Sequence, residues 1–171
     1  VDLRGRTLLP GFIDAHGHFP GSGLRVVAAD LNSPPIGSNK TMAEVMTALK
    51  EQAEKSAPGE WVSGFGYDDT LLAEQRHPTR AELDDVSMEH PVVAMHISGH
   101  MLVANSMALE QVGINASTPN PEGGVIGRRP GSQEPDGLLE ETARMTVMRQ
   151  MQDISIIDTY RLMKAAANEY S

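Results

Sequence analysis

Two histidines separated by a single glycine, His16-Gly17-His18, close an apolar run that begins at Leu8 and passes through Phe12 and Ile13. Imidazole nitrogen is a good ligand for a divalent ion, and side chains two residues apart on an extended strand project to the same side. His16 and His18 are therefore candidate ligands of one metal ion. Gly17 leaves room between the rings, and Asp14 could orient one of them by a hydrogen bond from behind. A solvated turn is the competing reading. The position favours the metal, because α/β proteins place their ligands at the carboxyl ends of strands.

Other groups with chemical potential are spread along the chain. His100 follows Ser98-Gly99 at a strand end, and His96, four residues earlier, is expected to be hydrogen-bonded in or near the core. Asp68 and Asp69 follow the run Trp61-Val62-Ser63-Gly64-Phe65-Gly66-Tyr67, where a carboxylate either reaches a pocket or caps a turn. Trp61, Phe65 and Tyr67 alternate along that run as packing residues. Glu140 and Glu141 fall on an expected helix as a solvated acidic pair. Gly21-Ser22-Gly23 and Gly123-Gly124 lack the strand-to-helix setting and the lysine of a phosphate loop, so no nucleotide is expected.

Composition removes whole classes of function. The 171 residues include no cysteine, which excludes disulfides, thiolate-bound zinc and thiol catalysis. There are 14 Lys and Arg against 23 Asp and Glu, a net charge of -9, which argues against nucleic acid as a partner. The longest apolar runs are a few residues, far short of the roughly 20 needed to span a bilayer, so no membrane association is expected. The absence of a charged-then-apolar leader makes a cytoplasmic location the expectation.

These side chains must be positioned by alternating elements. Residues 8–16 are expected to form a first strand, followed by a long loop to Pro34-Pro35. Residues 41–57 carry Met42, Val45, Met46, Leu49 and Ala53 on one helical face behind a capping box of Thr41 and Glu44, and Pro58-Gly59 stops them. Strands are expected at 61–67 and 91–97, and short helices after the second capping box, Thr79 with Glu82, and over 105–112. Residues 118–137, rich in Gly and Pro, are expected to be an inserted loop or hairpin, with helices at 138–151 and 158–171. Strand and helix in this order predict an α/β fold with a parallel sheet and helical crossovers. An eight-stranded barrel needs about 250 residues, so at most the first units of one fit here.

The run Leu9-Pro10-Gly11-Phe12-Ile13-Asp14-Ala15-His16-Gly17-His18 resembles the first metal-binding strand of the amidohydrolase superfamily. Trp61 to Asp68, Pro78-Thr79-Arg80-Ala81-Glu82-Leu83-Asp84, Ser98-Gly99-His100 with Asn105-Ser106, and Gly113-Ile114 with Gly123-Gly124-Val125-Ile126 resemble one branch of it, amidohydrolase family 3. That branch holds YtcJ-like hydrolases and N-substituted formamide deformylases. The resemblance implies a partial (β/α)8 TIM barrel over residues 10–171, preceded at residues 1–9 by the last strand of a small β-sandwich. It implies His16 and His18 as metal ligands and His100 as a substrate-binding residue. Asp68 joins His100 as a substrate-binding candidate, and a Gly-x-x-x-Glu pattern makes Glu141 or Glu140 a weaker one. The ion would be zinc first, with iron, nickel and manganese open. It would acidify a water to a pKa of about 7 and polarise a carbonyl, so that an amide or other C-N bond of a small molecule is hydrolysed. The remaining ligands and the proton-handling carboxylate would lie beyond Ser171, so no catalytic residue is assigned and a fragment alone would be inactive.

Two other functions compete with this one. The chain could be a non-catalytic α/β module in which His16 and His18 bind metal weakly or not at all. It could also be a self-associating fragment, a homo-oligomer paired through exposed sheet edges.

Overall fold

A computed structural model of the chain describes residues 4–11, 13, 19–151 and 156–169. It contains one six-stranded sheet built from β1 (Ala29–Asp30), β2 (Val62–Tyr67), β3 (Val92–His96), β4 (Met101–Ala104), β5 (Gly124–Arg128) and β6 (Pro135–Glu141). The strand order is β1-β2-β3-β4-β6-β5. The first three strands are parallel, whereas β4 turns back beside β3, and β6 and β5 continue antiparallel. Helices α1 (Met42–Ala53) and α2 (Arg80–Asp84) supply the crossovers between parallel strands, and α3 (Ser106–Gln111), α4 (Arg144–Gln150) and α5 (Ile156–Glu169) follow.

Apolar residues on both faces of the central strands explain this layering, because a sheet covered on both sides reads as continuous hydrophobic sequence. In β3, Val92 and Ala94 join Val45 and Leu49 of α1 and Leu83 of α2. Val93, with Leu102 and Ala104 of β4, faces the other way toward Ala108 and Leu109 of α3 and Val147 of α4. Both expected capping boxes form. Thr41 accepts from the Glu44 amide at 3.3 Å and the Thr41 amide donates to Glu44 at 2.9 Å, and the Thr79–Glu82 pair repeats the arrangement.

The α/β class and the parallel strands with helical crossovers are as the sequence predicts, but four elements differ. Residues 8–11 and 13 carry no strand and are exposed; the strand that opens the parallel sheet is β1, inside the segment expected to be loop. Strand β4 occupies residues between the Ser98-Gly99-His100 turn and α3. The hairpin of residues 118–137 extends further than expected, since β6 runs to Glu141 and only residues 144–150 are helical. Glu140 and Glu141 therefore sit on a strand, not a helix. Leu138, Leu139, Glu140 and Glu141 favour helix intrinsically, yet pairing with β4 on one side and β5 on the other prevails. Residues 4–9, the described part of the expected sandwich remnant at 1–9, form a turn and irregular chain that pairs with no described strand.

Candidate functional site

One end of the sheet collects the reactive side chains. Parallel strands β2 and β3 end there at Tyr67 and His96, β4 starts there at Met101, and β6 arrives there beside it, Met101 opposite Glu140. A bulge between Phe65 and Tyr67 brings Tyr67 level with His96. Gly66 makes this bulge with φ +104°, and a Cβ there would lie 2.4 Å from the Asn32 side chain, so any larger residue would be strained and would displace Asn32.

His96 is buried and anchors a hydrogen-bonded chain. The Ser98 hydroxyl lies 2.8 Å and the Ser98 amide 3.2 Å from its Nδ1, and Asp69 Oδ1 lies 3.0 Å from its Nε2. The Ser98 amide can only donate, so Nδ1 carries the lone pair and the ring proton sits on Nε2, donated to Asp69. Ser98 Oγ in turn accepts from the His100 amide at 3.2 Å. Asp69, His96 and Ser98 thus fix the turn that presents His100.

Behind this chain, Tyr67 is fully buried and its hydroxyl lies 3.1 Å from His77 Nδ1. Burial, with the Asp69 charge adding to it, pushes the Tyr67 phenol above its ordinary range, so it stays un-ionised. The rings of Tyr67, His77 and His96 meet edge to face at 5.1 to 5.9 Å. His77 also walls a cavity of about 580 Å³ with Pro78, Arg80, Arg129 and Leu138.

The sequence-derived candidates divide clearly. His16 and His18 lie outside the described residues. Asp68 has the capping role: its Oδ1 accepts from the Thr70 amide at 2.9 Å and hydroxyl at 2.6 Å, and that hydroxyl above all holds its carboxyl below the usual range. Its neighbour Asp69 is the carboxylate that meets His96. Among the described residues, Asp68, Asp69 and His96 bring ligand-type atoms within 4.8 Å of one another. Asp69 Oδ1 and His96 Nε2 are hydrogen-bonded to each other, and Asp68 Oδ1 is engaged by Thr70. His100 is exposed, with its Nδ1 3.1 Å from both carboxylate oxygens of Glu141. His90, by contrast, is structural, bonded through Nδ1 to the Glu60 carbonyl at 2.9 Å. Asp69 meets His96 across 27 positions and His77 meets Tyr67 across ten, spacings with no local signature, whereas Ser98 bonds residues only two positions away.

A model described as the amidohydrolase family matches residues 1–171. The chain belongs to the amidohydrolase family. Within that family it is 35% identical over 173 residues to an N-substituted formamide deformylase from Arthrobacter pascens, covering 99% of this chain and 31% of the relative. It is 30% identical to the putative amidohydrolase YtcJ of Bacillus subtilis (strain 168), covering 91% of this chain and 28% of that protein. Among solved structures, an uncharacterised metal-dependent hydrolase from Pyrococcus horikoshii OT3 superposes with a TM-score of 0.56 at 23% identity, over 94% of this chain and 28% of the other. This amidohydrolase chain therefore spans about a third of the length of the relatives it matches. Its strand-end cluster stands where α/β folds bind ligands.

Proposed function

We propose that the chain is the N-terminal part of a metal-dependent hydrolase that cleaves an amide or other C-N bond of a small molecule, working as the opening units of a (β/α)8 barrel. The observation that carries this reading is the convergence of Asp69, His77, His96 and His100 on the end of the sheet where β2 and β3 finish, in a chain matched along its whole length by the amidohydrolase family. The Arthrobacter relative acts, by its name, on N-substituted formamides, and that class of substrate is the first to try here.

A divalent ion fits the donors by type. His16 and His18 offer two imidazoles, and Asp68 and Asp69 place negative charge at the strand ends. His16 and His18 would hold the ion, zinc being the first choice. When bound, such an ion supplies a Lewis acid that acidifies water and polarises a carbonyl. The chain's own groups do the rest of the local work: His100 faces the substrate, Asp69 and His96 hold the turn that carries it, and Asp68 braces the loop after β2. No described helix is long and apolar enough to cross a membrane, and a cytoplasmic location is part of the proposal.

The test is elemental analysis of the purified chain after dialysis against a weak chelator, beside a His16→Ala, His18→Ala double variant. About one divalent ion per chain on the wild type and none on the variant is the expected result. An ion held equally by the two proteins would remove His16 and His18 as ligands, whereas two metal-free proteins would mean that the site needs the ligands expected beyond Ser171.

A further inference from the structure

Glu141 stands out in the described backbone as a glutamate in the left-handed region, with φ +50° at the exit of β6. A turn of this hand is served at lower cost by Gly, Asn or Asp. Its amide donates to the His100 carbonyl at 2.8 Å, and its carboxylate lies 3.1 Å through each oxygen from His100 Nδ1. The two side chains are 63% and 56% exposed. A pair so open to water contributes little to stability, so it does not offset the backbone cost. The strain is explained if the carboxylate has work to do on the imidazole.

We infer that Glu141 is a positioning residue for His100, locking its ring with the proton on Nδ1 so that Nε2 presents a lone pair outward to a hydrogen-bond donor, the N–H of an amide-type substrate. A carboxylate can only accept, so the ring nitrogen it faces carries the proton, and in the neutral ring the other nitrogen then holds the lone pair. This is the reverse of the tautomer at His96, whose ring proton is on Nε2. The sheet thus holds two histidines four residues apart in opposite protonation patterns, one turned inward to Asp69 and one outward. The inference rests on His100 being a substrate contact, as the proposed function has it.

The test is nitrogen-15 NMR of the His100 ring in the 171-residue chain at mildly alkaline pH, where a free imidazole is neutral. The expected result is the Nδ1–H form in the wild type and its loss in Glu141→Gly. Because glycine suits φ +50°, that variant is expected to melt at the same temperature as wild type or higher, whereas a purely structural glutamate would leave a less stable protein. An Nε2–H ring in the wild type, or an unchanged ring in the variant, would overturn the positioning role, and the wild-type spectrum alone decides if the variant does not fold. Titration with N-methylformamide is expected to move the Nε2 resonance, and N,N-dimethylformamide, which has the carbonyl but no N–H, to leave it in place. Equal responses to the two probes, or none to either, would overturn the donor assignment. The tautomer is readable whether or not the protein hydrolyses anything, so a failed hydrolase reading and a failed Glu141 role give different results.

Discussion

At Glu82 four hydrogen bonds converge on one carboxylate. Arg76 grips it through both terminal nitrogens at 2.6 and 2.8 Å, and Thr79 donates through its amide and hydroxyl, each at 2.8 Å. The Arg76 guanidinium, seconded by Thr79, holds the Glu82 carboxyl at about 2, against an ordinary 4.5. A carboxyl with a depressed folded-state value stabilises fully above its unfolded value and loses that contribution as pH falls toward the folded one. With side chains 44% and 28% exposed, the pair is screened, and Glu82→Gln is expected to cost about 1 kcal/mol at neutral pH. Melting curves of both proteins should converge as pH drops from 4.5 toward 2; a gap independent of pH would contradict the assignment. The residues that build the candidate site differ from Glu82 in one respect. Its partners lie within six positions, and the Thr79–Glu82 half of this cluster is visible in the sequence. Asp69 meets His96 across 27 positions and Glu141 meets His100 across 41, and no spacing rule connects such pairs.

Between elements, Asn105 performs several joining functions at once. Its Oδ1 accepts from the Ala108 amide at 2.9 Å, capping α3, and from the Val92 amide at 3.0 Å, closing the start of β3. Its Nδ2 donates to the His90 carbonyl at 2.9 Å and the Ser87 carbonyl at 3.3 Å. The residue is almost wholly buried, so Asn105→Ala would strand these groups away from water and is expected to cost about 3 kcal/mol. Urea unfolding should show a lower midpoint with an unchanged slope. Elements announced by local chemistry were legible: the two capping boxes, the α1 face, the short helix expected over 105–112 and the apolar cores of β2 and β3. Those that depend on neighbours were not. Two-residue β1 has no periodicity to display. The run Met101-Leu102-Val103-Ala104 gives a strand no room to alternate with polar residues, because both faces of β4 are covered. Leu138 to Glu141 reads as helix until β4 and β5 flank it.

At the scale of the whole molecule, two apolar layers sandwich the sheet, and α5 packs on the 3-10 turn at Gly21–Val26. That docking is tight: a Cβ on Gly23 would lie 2.1 Å from the Leu162 carbonyl oxygen, a backbone atom that cannot swing aside. Gly23→Ala should therefore release α5 while leaving the sheet intact. Hydrogen exchange would report this as lost protection in Ile156–Glu169 with protection retained in β2, β3 and β4; uniform loss would mean that α5 and the sheet unfold as one unit. The alternation of strand and helix made the α/β class legible, whereas the switch from parallel to antiparallel pairing after β3 depends on a four-residue turn and a distant hairpin. The hairpin has a practical corollary. Residues 129–134, its tip, lie at the opposite end of the sheet from His96 and His100, and the native chain has no thiol at all. Gln133→Cys, at an exposed position, would give surface chemistry a single attachment point, and a chip or bead coupled there would hold the molecules in one orientation, strand-end rim outward.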